Sequence, residues 1–198
     1  MHPTQRKTTN KTGLFLTLIL SMASPAMAGM DIDMTANVKN STCRSEISNQ
    51  GNLDLGVVGV GYFTGSTSAE DYQPGGKEFT VTVTDCAFQG TGDVLTQLHI
   101  DFRPLSGAMA AGSRQIFNNE NVTGASNVGV VIFSIQDPAH MFNVLNNAGV
   151  SRSIYPVMSS AINNSSWKFS TRMQKINSSV AVTSGQVTSH VLIDINYE

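Results

Sequence analysis

FTVTVTDC, residues 79–86, alternates apolar and hydroxyl-bearing side chains before it reaches a cysteine. A period of two places Phe79, Val81 and Val83 on one face of a strand and the intervening threonines on the other. Aromatic and β-branched residues also favour extended backbone. The stretch therefore predicts a strand with one buried face.

Similar stretches occur on both sides of this segment, at residues 30–38, 53–60, 95–102, 128–135, 166–173 and 187–197. Residues 128–135 (VGVVIFSI) are apolar enough to be buried on both faces. Residues 139–147 are short and rich in asparagine, so they predict a loop or a single turn. About seven strands without an amphipathic helix predict an all-β chain, an antiparallel β-sandwich in one domain.

The composition excludes several classes of protein. The chain has 198 residues, of which 13% are charged, and its formal net charge is −2. Its 12 lysines and arginines are scattered, so they form no basic stripe for a nucleic-acid backbone. The length suits one domain with a substantial core.

The first 28 residues have the three zones of an export signal. Basic residues at positions 6, 7 and 11 precede the apolar run GLFLTLIL, residues 13–20, and SPAMA follows at positions 24–28. This order is typical of a secretory signal peptide, with cleavage predicted after Ala28. A membrane anchor is the alternative, but the apolar run is shorter than the roughly 20 residues that a spanning helix needs. The protein is therefore predicted to be exported.

Export places the two cysteines, Cys43 and Cys86, in an oxidising compartment. A lone pair of cysteines there predicts one disulfide. On the loop-entropy model, a closed loop of about 43 residues contributes around 4 kcal/mol to stability. A catalytic thiol is disfavoured, because the sequence has no C-x-x-C pair and no histidine near either cysteine.

Motifs for catalysis or cofactor binding are weak. The glycine-rich run at residues 56–65 misses the G-x-G-x-x-G spacing and has no βαβ pattern around it. His99, His140 and His190 are far apart in sequence and lack metal-binding spacings, so surface or rim positions are expected for them. There is no G-x-S-x-G nucleophile motif. The sequence predicts no enzyme, no cofactor and no metal site.

The two ends of the mature chain carry the clearest functional signal. Near the N-terminus, the apolar residues at every second position are Met30, Ile32, Met34, Ala36 and Val38. At the other end, the strand predicted over residues 187–197 stops one residue before the C-terminus. A final strand without a following neighbour leaves an edge open to pairing. The N-terminal strand of one copy is therefore predicted to complete the sheet of the next copy by β-augmentation.

Two simpler interpretations stay open at this point. The N-terminal stretch could be an ordinary first strand that pairs within its own chain, and the last strand could be a normally paired sandwich edge. Assembly into a polymer accounts for both ends at once.

Together these features resemble the pilin subunits of bacterial chaperone–usher fimbriae, particularly the small non-adhesive subunits of type 1-like fimbriae. The resemblance rests on the signal peptide, the alternating extension before Cys43, the FTVTVTDC segment and the C-terminal strand. It includes a penultimate Tyr197 and a glycine, Gly185, fourteenth from the C-terminus, as in the β-zipper motif of that family. It covers the whole mature chain.

The resemblance implies an incomplete immunoglobulin-like sandwich that lacks its final strand and is completed in trans. It divides the chain into a signal peptide (1–28), a donor-strand extension (29–38) and a pilin domain (39–198). Cys43 and Cys86 would join the first two strands. The donor side chains would be Met30, Ile32, Met34 and Ala36, with Val38 leading into the first strand. The strand that pairs with the chaperone and later with the donor would include Gly185, Val191, Ile193, Ile195, Tyr197 and Glu198.

The implied partners are a periplasmic pilus chaperone, which would bind the Glu198 carboxylate through basic residues, an outer-membrane usher, and neighbouring pilin subunits, with the tip adhesin as one candidate. The implied location is a fimbria on the cell surface. The low charge favours a minor tip or adaptor subunit, while a major rod subunit and a terminator stay open. The alternative from another class is a self-contained secreted β-sandwich that binds a carbohydrate or surface ligand. Its aromatic platform would need Trp167, whose alternation with Phe169 indicates a core position instead.

Overall fold

The computed structural model describes residues 43–65, 68–87 and 92–198. The strands in this part of the chain are β1 (Arg44–Ile47), β2 (Lys77–Thr84), β3 (Leu95–Pro104), β4 (Phe117–Asn118), β5 (Val128–Ser134), β6 (Phe142–Asn143), β7 (Ile154–Met158), β8 (Ser165–Lys175) and β9 (Val191–Tyr197). Helical structure in the described residues is limited to 3-10 turns at Ser48–Gly51 and Val60–Phe63 and one α-helical turn at Ser159–Ile162. The described chain is therefore almost entirely β.

The strands form two antiparallel sheets. The larger sheet has the order β1-β2-β8-β5-β4, and β6 also pairs with β5. The smaller sheet has the order β7-β3-β9, so β3 is its central strand. The larger sheet contains β5, which is buried along its whole length, as its continuous apolar sequence predicts.

The main core lies between the two sheets. On β2, the residues Phe79, Val81 and Val83 are buried while the threonines between them are partly exposed, which confirms the face predicted from FTVTVTDC. The ring centroid of Phe102 on β3 lies 4.9 Å from that of Phe169 on β8. Phe169 also stacks on Phe79, with 5.5 Å between the ring centroids. This cross-sheet packing is that of a sandwich, and the architecture is consistent with an immunoglobulin-like fold.

A disulfide joins Cys43 to Cys86, as the sequence predicts. Cys43 directly precedes β1, and Cys86 lies two residues after β2. The bond therefore fastens the first two strands, which pair in the larger sheet.

Residues 68–72 cover part of the outer face of the larger sheet, around β5 and β8. The buried guanidinium of Arg172 donates to the carbonyl oxygens of Ser68 and Asp71, at 3.2 and 3.1 Å. Burial lowers the pKa of Arg172. Arg152 forms an ion pair with Glu70, and Tyr72 packs edge-to-face on Phe133. These contacts fix the segment on the sheet.

Some predicted elements differ from the structure. The strand prediction over residues 53–60 is wrong: Asp54 Oδ1 accepts a hydrogen bond from the Gly56 N–H at 2.8 Å, and Gly56 has a φ of +72°, so the chain turns there. Residues 139–147 form turns and the two-residue β6. Strands β1 and β7 were not predicted, because runs of four and five residues are too short to show a clear alternation.

The predicted signal peptide (1–28) and donor strand (residues 30–38) lie outside the described residues. The domain boundaries at residues 28 and 38 therefore stay predictions.

Candidate functional site

The last strand, β9, forms one edge of the smaller sheet. Gln97 on β3 and Glu198 exchange both backbone hydrogen bonds, at 2.8 and 3.1 Å, and the Leu105 N–H donates to the His190 carbonyl at 3.0 Å. Hydrogen-bonded and non-hydrogen-bonded pairs alternate along an antiparallel ladder. Val191, Ile193 and Ile195 occupy the non-hydrogen-bonded positions, so their N–H and C=O groups point away from β3. We call this side of the strand the β9 edge, and no described strand lies along it.

The residues at the β9 edge also carry core side chains. Ile193, Ile195 and Tyr197 lie opposite three buried residues of β3, which are Phe102, Ile100 and Leu98. Ile195 is 7% exposed, whereas Val191, Ile193 and Tyr197 pack against the main core and stay partly exposed. The residues whose backbone groups point outward also direct their side chains into the core. A strand added here would therefore form hydrogen bonds and cover apolar surface at the same residues.

The approach to β9 is held by side chains from residues 119–125. Asn119 Oδ1 accepts from the Thr188 N–H at 2.9 Å, and a carboxylate oxygen of Glu120 lies 2.6 Å from His190 Nδ1. Gly185 has a φ of +150°, and a Cβ on it would lie 2.3 Å from the Ala125 nitrogen. A side chain at this position would clash with backbone, which gives a structural reason for the glycine singled out by the sequence. Thr188 and His190 also bond to residues 119–120, and the paired residues of β9 begin at Val191.

The C-terminal end of β9 is fixed to the neighbouring elements. The Glu198 main-chain oxygen accepts from Thr96 Oγ1 at 2.5 Å, and Glu198 Oε1 lies 3.2 Å from His99 Nε2. The Tyr197 hydroxyl donates to the Ala87 carbonyl oxygen. The Glu198 side chain is 75% exposed, so its carboxylate is also accessible to a partner.

The opposite edge of the same sheet is β7, which bonds to the alternate residues of β3 that do not bond to β9. The Ile100 N–H donates to the Ser153 carbonyl at 2.9 Å, and the Ser159 N–H donates to the Val94 carbonyl at 2.8 Å. Alternation along the ladder then directs the backbone of Ile154, Pro156 and Met158 away from β3, and the outward Ile154 N–H already donates to the Arg152 carbonyl oxygen at 2.8 Å. We call this side of the strand the β7 edge.

Side chains at the β7 edge point to the outside of the sandwich. Ile154, Pro156 and Met158 are exposed, while Tyr155 and Val157 pack against the core. The Tyr155 hydroxyl lies 2.6 Å from Ser134 Oγ, and its ring lies 4.3 Å from the Trp167 ring. Burial raises the pKa of Tyr155. At the β9 edge, the residues with outward backbone groups have side chains in the core. At the β7 edge, the residues with outward backbone groups have exposed side chains.

The described residues offer few groups for other chemistry. His140 lies 2.7 Å from Asp137, and His99 and His190 each lie beside a glutamate, so the three histidines occupy separate pairs. No group of three or more candidate metal-binding side chains occurs in residues 43–65, 68–87 or 92–198. Over the same ranges, we find no helix with the length and apolarity to cross a membrane.

The structure brings Val191, Ile193, Ile195 and Tyr197 together on one strand, with Gly185 on the approach to it. The proposed donor residues Met30, Ile32, Met34, Ala36 and Val38 lie outside the described residues. Pro156 was not among the residues predicted from the sequence. The signal was present, because a proline within the run IYPVM is confined to an edge strand or a bulge.

Comparison with known proteins identifies the relatives of this chain. No protein-family model matches it. A curated protein, the fimbrial-like protein YadK of Escherichia coli (strain K12), is 72% identical over 198 residues, which is the full length of both chains. The chain therefore belongs to the same family of fimbrial-like proteins.

Proposed function

We propose that this chain is an exported structural subunit of a bacterial fimbria that polymerises by donor-strand exchange. The observation that carries the proposal is the β9 edge, where outward backbone groups and partly covered core side chains belong to the same residues. The fimbrial-like relative supports a structural role rather than a catalytic one.

The donor in this proposal is the segment at residues 30–38 of a neighbouring copy or subunit. In an extended conformation, its apolar residues at every second position share one face. Burying four such side chains, at about 1.5–3 kcal/mol each, provides roughly 6–12 kcal/mol before the cost of ordering the strand. That range suits a long-lived joint between subunits.

The proposal requires a partner before assembly. A periplasmic chaperone supplies a strand to the β9 edge, contacts the exposed Glu198 carboxylate, and passes the subunit to an outer-membrane usher. The neighbour's extension then replaces the chaperone strand. The subunit is thereby carried through the periplasm into a fimbria on the cell surface.

Within the fibre, we propose a minor tip or adaptor position, with the major rod position as the alternative. The low charge of the chain supports the minor role. Quantitative mass spectrometry of isolated fimbriae decides between them: a few copies per fibre support the adaptor, and hundreds of copies contradict it.

A deletion tests donor-strand exchange. Removal of residues 30–37 should leave a chaperone-bound subunit that no longer inserts into its neighbour, because the acceptor edge is intact and the donor is absent. A matched control, Asp33→Asn, changes only the polar face of the extension and should polymerise. Normal polymerisation of the deletion variant would contradict the proposal.

The competing function is a self-contained β-sandwich that binds a surface ligand. Trp167 is 9% exposed and packs on Tyr155, so it does not form an exposed aromatic platform. The two functions differ in a simple experiment: expression with and without the chaperone. Stable monomeric folding without it would favour the ligand-binding module.

A further inference from the structure

We propose that Pro156 confines strand addition to the β9 edge by removing a central outward donor from the β7 edge. The inference rests on the proposed function and extends it to how a subunit avoids pairing on the wrong side. Pro156 is the middle residue of the five in β7.

The ladder positions establish the direction of the missing donor. Pro156 lies opposite Gln97, between the hydrogen-bonded pairs formed by Leu98 with Tyr155 and Thr96 with Val157. Its nitrogen therefore faces away from β3, and proline is accommodated there without loss of a bond within the sheet. An incoming strand would find no N–H at the centre of this edge.

The β7 edge needs such a block because its surroundings are apolar. Ile154 and Met158 are 39% and 40% exposed, and Leu95, directly opposite Met158, is 71% exposed. None of the five residues of β7 is charged. An exposed apolar edge without charges is a template for pairing with another chain.

The other edges of the described sheets are protected in different ways. On β1, only four residues are available, and they include Arg44 and Glu46. On β4 and β6, each strand has two residues, and the chain after β4 bonds to the segment that leads into β9. Short strands and charges both discourage edge pairing. Among the edges of the described sheets, the β9 edge alone combines length, an N–H at every outward position and core side chains.

The test uses the full chain co-expressed with its periplasmic chaperone, so that the β9 edge is occupied. The mass of the purified complex is measured by light scattering after size exclusion. Wild type should give a complex of one chaperone and one subunit, whereas Pro156→Thr should give about twice that mass through pairing of two β7 edges. Pro156→Ala restores the same N–H without a hydroxyl and should behave likewise.

Two controls separate the missing donor from side-chain effects. Ile154→Thr changes a side chain at the same edge but no donor, so its complex should keep the wild-type mass. Adding Met158→Pro to Pro156→Thr moves the block by two residues to another outward position, where a φ of −72° suits proline, and should restore the wild-type mass. A Pro156→Thr complex that stays at one to one, together with the same result for Pro156→Ala, would overturn the inference. Failure of the wild-type chain to bind the chaperone would instead overturn the proposed function.

Discussion

The two edges of the smaller sheet flank the same central strand, yet they present different surfaces. At the β9 edge, residues with outward backbone groups direct their side chains into the core. At the β7 edge, residues with outward backbone groups direct their side chains to the outside, and the central one is Pro156. A strand added at the β9 edge would therefore cover core side chains as it pairs, whereas a strand added at the β7 edge would pair without covering the core.

This difference arises from register rather than from composition, since both strands are rich in apolar residues. The core face of β3 carries Leu98, Ile100 and Phe102, whose backbone groups point away from β9 and toward the β7 side of the strand. The core-facing residues of β7 therefore form their backbone hydrogen bonds with β3. The backbone groups of the core-facing residues of β9 instead point away from β3. A slip of one residue on either side would reverse the relation.

The largest expected effect comes from removing core that both edges share. Phe102→Ala on β3 deletes a ring that packs on Phe79 and Phe169, and it should lower the free energy of unfolding by about 3–5 kcal/mol. Both edges should be lost together. Denaturant unfolding of the chaperone-bound subunit measures this, and Arg103→Ala, on the outer face of the same strand, is the control. A loss below about 1 kcal/mol for Phe102→Ala would contradict the shared core.

A proline at the β9 edge should make this edge a poorer acceptor of a strand, as Pro156 does at the β7 edge. Ile193→Pro removes an outward N–H and an apolar contact, which together contribute about 1.5–3 kcal/mol, so binding of a synthetic peptide of residues 30–38 should weaken about 10- to 100-fold. The β3–β9 ladder should survive. Leu192→Pro, one residue away, removes a bond to β3 and should instead unfold the strand. Equal effects of the two variants would contradict the assigned backbone directions.

A smaller effect is expected at the contact that anchors β7 to the core. Tyr155→Phe leaves the buried Ser134 hydroxyl without its phenol partner and should cost about 1–2 kcal/mol at neutral pH, with peptide binding at the β9 edge unchanged. The double variant with Ser134→Ala should recover part of the loss.

The same tyrosine gives a pH dependence. Because burial raises the pKa of Tyr155, the unfolded chain loses this proton first, and stability falls as pH rises above about 10 toward the folded pKa. The Tyr155→Phe variant should therefore show a shallower alkaline loss of stability than wild type. Identical alkaline titrations of stability would contradict the buried, protonated phenol.

The smallest effect is expected on the outer face of β9. Arg103 and Asp194 form an ion pair at 2.5 Å, but both side chains are about half exposed. Asp194→Asn should change stability by less than about 1 kcal/mol and peptide binding by less than about threefold, since exposed pairs contribute little. A large loss of peptide binding would place part of the acceptor surface on this outer face rather than at the edge.

Much of the fold follows from local pattern. Strict alternation located β2, and a continuous apolar run located β5, because these strands are buried on one or both faces. Residues 53–60 show where the pattern fails. Leu53 and Leu55 pack against the core as alternation requires, but the chain turns at Gly56 and no ladder forms.

The candidate site was only partly predictable. The residues of β9 were identified from the sequence, whereas the direction of their backbone groups depends on register with β3, which no local pattern records. A proline in a strand indicates an edge, so Pro156 is a signal that the sequence contains. Its role, however, depends on which strand β7 pairs with and on whether the Pro156 nitrogen faces that strand.

The central claim is that a strand adds at the β9 edge and not at the β7 edge. Amide hydrogen exchange on the chaperone-bound subunit lacking residues 30–37, before and after the 30–38 peptide replaces the chaperone, tests it residue by residue. The account predicts that Val191, Ile193 and Ile195 are protected in both complexes, with no change at Ile154 and Met158. New protection at Met158, or loss of protection at the three β9 amides once the peptide has replaced the chaperone, would contradict it.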